Sequence, residues 1–362
     1  MTKNDVKDRI RGCLIGGAIG DALGYAVEFD GLNAILSKYG SKGITKFELS
    51  RSGKAEVSDD TQMTLFTAEG LLNGMKEPKF PELAVKDAYI DWYYTQAPGQ
   101  KKGLPSTSLR DNPRLCHHRA PGCTCLDACR AIIDGREVKN NSKGCGGIMR
   151  VAPIALLSAA LRDNDGKGFA DYRIAIMADY VAEMTHKHPL GHLPAALLAV
   201  LLDRILSMDS ENVLQNFGKL VSDSLGFIEL LFCSESEADL SLLRHLVIES
   251  QDLADSSIPT VECLNRLGEG WVAEETLAVA LFCAKRYLHD PEQAIIAAVN
   301  HDGDSDSTGS VCGNIMGAIY GYDYLKAHNV CCPEGHKLED TLELSDIILD
   351  TADRLAAAKR KD

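Results

Sequence analysis

Two stretches decide how this chain reads: GCLIGGAIGDALG at residues 12–24 and GSVCGNIMGAIYG at residues 309–321. Glycine recurs at 12, 16, 20 and 24, and again at 309, 313, 317 and 321. A spacing of four keeps residues along one side of an α-helix. Each glycine inside a helix costs about 1 kcal/mol against alanine, so eight of them need compensation. Close approach of two helix backbones supplies it, because a glycine edge has no Cβ in the way. We expect tight helix packing through these edges. If the two ladders face each other, acidic residues at the helix ends are brought together.

The rest of the chain is helical in rhythm. Leu65, Ala68 and Leu72 follow a helical period, as do Leu197, Leu198, Leu201, Leu202 and Ile205. Leu277, Leu281 and Ala284 form a third stripe, and Ile315, Ile319 and Leu325 are expected on one late helix. Thr45, Phe47 and Leu49 alternate, consistent with one short strand or an extended loop. No alternation of strand and helix appears, which argues against a parallel α/β sheet. The expected fold is all-α, a single compact helical domain over residues 1–362. Residues 97–121, rich in Pro, Gly, Ser and Arg, read as a long functional loop inside that domain. Residues 356–362 are expected to fray.

Charge and composition exclude several classes. The formal charge is −14, which argues against nucleic acid or an anionic membrane as the main partner. The apolar run 195–202 is too short to cross a bilayer, which needs roughly 20 residues. Residues 1–11 alternate charges and lack the apolar core of a secretory signal. Twelve cysteines in such a chain read as reduced thiols of a cytoplasmic protein rather than as a disulfide framework. Cys116, His117, His118, Cys123, Cys125 and Cys129 raise the question of zinc, but no Cys-x-x-Cys pair occurs and the irregular spacing argues against a tetrahedral site.

Three acidic groups remain. Asp21 and Glu28 share a helical face if the first helix continues that far. Ser58-Asp59-Asp60-Thr61 precedes a helix, and Asp302-Gly-Asp304-Ser-Asp306-Ser307 precedes the second glycine ladder. A serine or aspartate before a helix is ordinarily its cap, and Asp59 with Gln62 approximates a capping box. Three carboxylates within five residues exceed what one cap requires, and such a cluster of oxygens suits a hard divalent cation. It is not an EF-hand loop: Ser307 stands where glycine is needed and Gly313 where the bidentate glutamate belongs. Neither a phosphate-binding P-loop nor a dinucleotide fingerprint is present at residues 12–24.

Six segments, taken in order, resemble one family. They are GCLIGGAIGDALGYAVEF (12–29), VSDDTQMTL (57–65), SKGCGGIMRVAPIAL (142–156), THKHPLGHLPAALLA (185–199), GEGWVAEETLA (268–278) and NHDGDSDSTGSVCGNIMGA (300–318). Together they are similar to the ADP-ribosylglycohydrolase family. The resemblance implies an orthogonal all-α fold with two Mg²⁺ ions, Mn²⁺ in some members. It places metal ligands on Ser58, Asp59, Asp60, Asp304, Asp306 and Ser307. Both hydroxyl positions, 58 and 307, are Ser where the family pattern has Thr; serine keeps the oxygen but is freer at χ1. Asp302 then reads as a capping or supporting residue.

The resemblance further implies hydrolysis of the bond between C1 of the distal ribose and the modified group, with oxocarbenium character building on the ribose. Glu28, Asp59, Asp60 and Asp304 are the implied catalytic residues, Glu28 for proton transfer or for gating metal access. Gly144, Gly146, Gly147 and Met149 fall on the family's ribose- and phosphate-contacting loop, and His186 matches a ligand-proximal histidine. His188 and His192 read as surface or packing residues. Segments within residues 119–126 resemble sequence near the substrate entrance. The implied partner is an ADP-ribosylated protein or a small ADP-ribosyl substrate, arginine being the expected acceptor. Serine-linked or nucleic-acid-linked ADP-ribose is an alternative, as is a non-catalytic ADP-ribose binder on the same fold. A phosphohydrolase releasing AMP is a third class.

Overall fold

Helix α1 (Lys3–Tyr25) carries the first glycine ladder, and the computed structural model describes residues 3–76, 80–97, 99 and 103–360. After it come α2 (Leu32–Tyr39), α3 (Asp59–Gly74), α4 (Val85–Gln96) and α5 (Cys123–Ile133). A 3₁₀ turn at Cys145–Arg150 leads into α6 (Ala152–Asp165), α7 (Asp171–Glu183) and α8 (Pro189–Leu206). The chain continues through α9 (Ser210–Leu231), α10 (Glu237–Asp255), α11 (Thr260–Leu267), α12 (Ala273–Arg286) and α13 (Pro291–Val299). It closes with α14 (Ser305–Tyr320), α15 (Tyr322–Ala327), α16 (Leu338–Thr341) and α17 (Ser345–Ala356). Among the described residues there is no strand; two isolated bridges, Ala55 with Leu342 and Gly144 with Val272, are the β-type pairings. The all-α expectation holds, and one continuous apolar core joins the helices.

The centre of the fold is the antiparallel pair α1–α14. A Cβ built on Gly12 would lie 2.4 Å from the Gly317 carbonyl oxygen, on Gly16 2.2 Å from that of Gly313, and on Gly20 1.9 Å from that of Gly309. No side chain fits at such distances, so the compensation for the glycines is the backbone-to-backbone contact itself. Asn314 bridges the same interface, donating from Nδ2 to the Cys13 carbonyl at 2.9 Å. At the far end of the ladder, Gly24 lies against Ser305. The C-terminal end of α1 therefore meets the N-terminal end of α14.

The expectation of one late helix is corrected: Gly321, at φ 80°, ends α14 and separates Ile315 from Leu325 on α15. Of the short strand or extended loop expected around Phe47, the structure has extended chain, with the Phe47 N–H donating to the Cys331 carbonyl at 2.8 Å. The C-terminal tail does not fray through Arg360, since Asn164 holds the carbonyls of Ala356 and Ala358 and the Arg360 N–H donates to Asp165. Residues 361–362 lie outside the described residues. Finally, Pro189–Leu206 as a whole is long and apolar enough to span a membrane, as is Cys145–Asp165, but 89% of each window is buried inside the protein.

Of the loop 97–121, residues 98 and 100–102 lie outside the described residues. The remainder is fastened to α4, where Asp91 accepts the N–H groups of Ser106 and Thr107, both at 2.7 Å, and pairs with Arg110 at 3.4 Å. Leu109 and Leu115 insert into the core.

Candidate active site

The site lies where α1 ends and where α3 and α14 begin. Ser58 caps α3, its Oγ accepting the Asp60 N–H at 3.1 Å. Asp304 caps α14, its Oδ1 accepting the Ser307 N–H at 3.3 Å. Both helices point their N-terminal ends, the positive ends of their dipoles, toward one place. Asp21, on α1, fixes the start of α3. Its Oδ1 accepts the Ser58 N–H at 2.9 Å, and its Oδ2 accepts the Thr61 N–H at 3.1 Å and the Thr61 hydroxyl. Across the gap, the Ser307 hydroxyl lies 3.4 Å from Asp60 Oδ1 and joins α14 to α3.

A cavity of about 190 Å³ opens there. Of the residues singled out from sequence, Glu28, Asp59, Asp60, Asp304, Asp306, Ser307, Gly144, Gly146, Met149 and His186 line it. Two do not. Ser58 is fully buried as the α3 cap, and Gly147 is pressed against the Gly191 carbonyl, where a Cβ would lie 2.5 Å away. Asp302 points elsewhere: its Oδ1 accepts the Leu32 N–H at 2.7 Å at the start of α2. Glu28 is not on a helix face with Asp21, because α1 ends at Tyr25; it stands in the turn that follows.

The electrostatics of the cavity are severe. Burial pushes the carboxyls of Asp59, Asp60 and Asp304 well above the usual carboxylate range, and neighbouring Asp306 adds to the shift of each. Burial, with Asp306, Asp59 and Asp21 nearby, pushes Glu28 up to about 9. Asp60 Oδ2 and Glu28 Oε2 are buried without a hydrogen-bond partner. Unpartnered buried carboxylate oxygens are costly unless a cation or a proton meets them. Among the described residues no three acidic, thiol or imidazole side chains already converge as a closed metal-binding group. The carboxylates crowd one cavity, and Asp304 lies close enough to Asp306 to share a hydrogen bond when it is protonated. In donor type and in these orphaned oxygens, Asp59, Asp60, Asp304, Asp306 and Ser307 fit hard divalent cations.

Opposite the carboxylates sits the 144–149 turn. Cys145, which the sequence reading left without a role, donates from Sγ to Asp304 Oδ2 at 2.7 Å; burial pushes its thiol well up, so it stays protonated. His186 is held neutral, since burial and the nearby Arg150 charge push it down to about 3. Its Nδ1 lies 2.8 Å from the Thr185 hydroxyl, which itself accepts from Arg150 Nη2 at 2.6 Å. The Thr185 hydroxyl has two acceptors in reach, His186 Nδ1 and the Ala182 carbonyl at 3.4 Å. Donation to Nδ1 leaves the imidazole proton on Nε2, which faces Gly144. Arg150 is fully buried, with its guanidinium 4.4 Å from the centre of the Tyr89 ring.

The cysteine group near residue 120 disperses. Cys125 and Cys129 are buried, Cys125 Sγ accepting from Arg150 at 3.3 Å; Cys116 Sγ donates to the Arg110 carbonyl at 3.7 Å, and Cys123 is exposed. His188 caps α8 and His192 pairs with Asp179 at 2.6 Å, so both pack rather than line the cavity. From the loop before α5, Ala120, at φ 48°, and Gly122 reach the cavity rim; Arg119 turns away to Glu343 at 2.9 Å. Sequence alone does not single out Asp21, Cys145 or Trp271 for this site, nor Cys123, Thr124 and Cys125, which also line the cavity. Trp271 lies in the segment 268–278, and Asp21 is marked in the sequence only by its spacing from Glu28.

The model of the family described as ADP-ribosylglycohydrolase matches residues 2–362. The chain is 26% identical over 372 residues to ADP-ribosylhydrolase ARH3 of Homo sapiens, covering 93% of this chain and 92% of that protein. It is 25% identical over 330 residues to the ADP-ribosyl-[dinitrogen reductase] glycohydrolase of Rhodospirillum rubrum, covering 89% of each. A solved structure described as an ADP-ribosylglycohydrolase-related protein complex superposes with a TM-score of 0.59 at 23% identity, over 98% of both chains, and so shares the fold. With the match running the length of the chain and the cavity formed by segments from both ends of it, the protein belongs to the ADP-ribosylglycohydrolase family.

Proposed function

We propose that this enzyme hydrolyses the C1 glycosidic bond of the distal ribose in an ADP-ribosylated acceptor, that the acceptor is an arginine side chain on a protein, and that the reaction needs two Mg²⁺ ions, with Mn²⁺ as a substitute. One observation carries the reading. Carboxylates from the starts of α3 and α14, about 245 positions apart in sequence, line one buried cavity, with oxygens of Asp60 and Glu28 left unpartnered. A protein that only bound ADP-ribose would have no use for so many acids buried together.

Asp59, Asp60, Asp304, Asp306 and Ser307 would hold the cations. Bound there, two divalent cations supply charge that offsets the carboxylates, orients vicinal hydroxyls and makes a water more acidic. The chain does the rest. The Gly146 backbone, at a helix start and bare of side chain, and the imidazole of His186 suit the anionic diphosphate. Met149 contributes an apolar wall. Glu28 holds a proton at Oε2, the oxygen with no protein partner, and is placed to pass it to the leaving nitrogen as the C1–N bond breaks. Water supplies the hydroxyl that ends on C1, and its remaining proton restores Glu28. Among the described residues no cysteine is in a disulfide, which suits the reducing cytoplasm we propose as its location.

The test is a panel of arginine-, serine- and nucleotide-linked ADP-ribose substrates assayed with Mg²⁺, Mn²⁺ and EDTA. Release of intact ADP-ribose from the arginine substrate, lost in EDTA and restored by Mg²⁺, is expected. Activity indifferent to chelation, or AMP as the product, rejects the reading.

A further inference from the structure

Two aromatic side chains stand at the edge of the cavity and are left in water. Phe29 is 75% exposed and Trp271 40% exposed. Their rings stack on each other, with centroids 6.4 Å apart and planes 22° from parallel. Phe29 directly follows Glu28, and Trp271 itself lines the cavity. The Trp271 ring is not needed to hold its own segment. The Trp271 carbonyl accepts the Cys145 N–H at 3.2 Å, the Ala273 N–H donates to Lys143 at 2.8 Å, and the Asp304 N–H donates to Glu269 at 2.8 Å. Just before it, the Gly270 carbonyl accepts the Thr276 hydroxyl at 2.7 Å. Backbone bonds thus strap residues 269–273 between the 143–145 turn and the start of α14, and the ring projects from a rigid support.

We propose that the Phe29–Trp271 pair is the acceptor subsite, a shelf on which the planar guanidinium of the modified arginine lies while its ribose enters among the carboxylates. The proposal rests on the arginine reading above and adds how that acceptor is chosen. Guanidinium is flat, permanently charged and weakly hydrated, so it stacks on aromatic faces. The surroundings favour a cation, since the chain carries −14. The anionic diphosphate with its adenosine matches instead the opposite wall, lined by Gly144, Gly146 and His186. A serine acceptor brings neither charge nor a flat face and gains nothing from the shelf.

The experiment compares wild type with Trp271→Ala, Phe29→Ala and Trp271→Phe. Both alanine variants are expected to raise KM for an ADP-ribosyl-arginine substrate about 5- to 30-fold with little change in kcat, the range that a cation–π contact allows. Trp271→Phe should keep most of the wild-type KM. Turnover of an ADP-ribosyl-serine peptide, where detectable, should not change. Binding gives a second readout. The chain has two tryptophans and Trp92 is fully buried, so agmatine, a small guanidinium, should quench emission from Trp271. An unchanged arginine KM in both alanine variants overturns the proposal. So does weakened binding of free ADP-ribose in those variants, which would mean that the rings hold adenine. If wild type cleaves only the serine linkage, the arginine reading fails; the agmatine titration then decides the shelf, with binding lost in the alanine variants sustaining it and no binding by wild type ending it.

Discussion

The Asp21 carboxylate accepts the Ser58 backbone N–H at 2.9 Å, so a side chain on the first helix aims the first turn of the third. Its second oxygen takes the N–H and hydroxyl of Thr61. Asp21 thereby positions Asp59 and Asp60 without lining the cavity itself. Asp21→Asn replaces one acceptor oxygen by an amide NH₂ that faces donors. Leaving a buried donor unmet costs about 1–3 kcal/mol. We expect a lower melting temperature, at least about tenfold weaker Mg²⁺ binding by calorimetry, and a matching loss of turnover. Unaltered Mg²⁺ affinity would show that α3 is aimed by other contacts.

The glycine interface predicts opposite signs for the same substitution at two positions. At Gly20 a Cβ would sit 1.9 Å from the Gly309 carbonyl oxygen, so Gly20→Ala must push α1 and α14 apart. A loss of about 1–3 kcal/mol is expected from overpacking. At Gly226, exposed on α9, nothing lies within 4 Å of a new Cβ, and Gly226→Ala should stabilise by about 0.5–1 kcal/mol. Thermal denaturation of the two variants checks both signs.

Stability and function should part at Asp60. Its buried carboxyl is raised by burial and by Asp306, Asp21, Asp59 and Asp304. Asp60→Asn removes one member of a repelling set. Melted in EDTA, the variant should be at least as stable as wild type, by a few degrees, while losing both turnover and the stabilisation that Mg²⁺ gives wild type. A variant destabilised in EDTA would contradict the electrostatic account.

The same cluster fixes the sign of the pH response. Burial and Asp306 hold Asp21 at about 7, and burial with Asp306, Asp59 and Asp21 holds Glu28 at about 9, whereas an unfolded chain ionises such groups near 4. Between those values the folded chain carries more protons than the unfolded one, so stability falls as pH rises. In EDTA the melting temperature should drop on the order of 5 °C from pH 5 to pH 8, allowing for other titrating groups. Mg²⁺ should remove most of that slope by favouring the ionised carboxylates. A melting temperature that rises with pH in EDTA would reverse the assignment.

The sequence made the α1–α14 pairing legible because repeated glycine is expensive in a helix and close packing repays it. The two helix-starting acidic clusters were legible for a similar reason: they hold more carboxylates than caps require. The role of Asp21 was not legible, since a carboxylate looks the same whether its partner is a cation or a backbone N–H. Nor was the break after Tyr25 that lifts Glu28 off the helix, or the use of Gly321 as a terminator rather than a fourth rung. Both depend on where a helix stops. Trp271 needed the structure for another reason: its exposure and its contact with Phe29 are properties of the folded rim.

The α1–α14 pairing also bears on how the protein is made. Arg9, near the start of the chain, donates from Nε to the Ala318 carbonyl at 2.6 Å, 309 positions later. A nascent chain leaving the ribosome exposes the bare glycine edge of its first helix until α14 has been synthesised, about 280 residues later. No shorter fragment can complete the acidic cavity, so the chemistry waits on the emergence of α14.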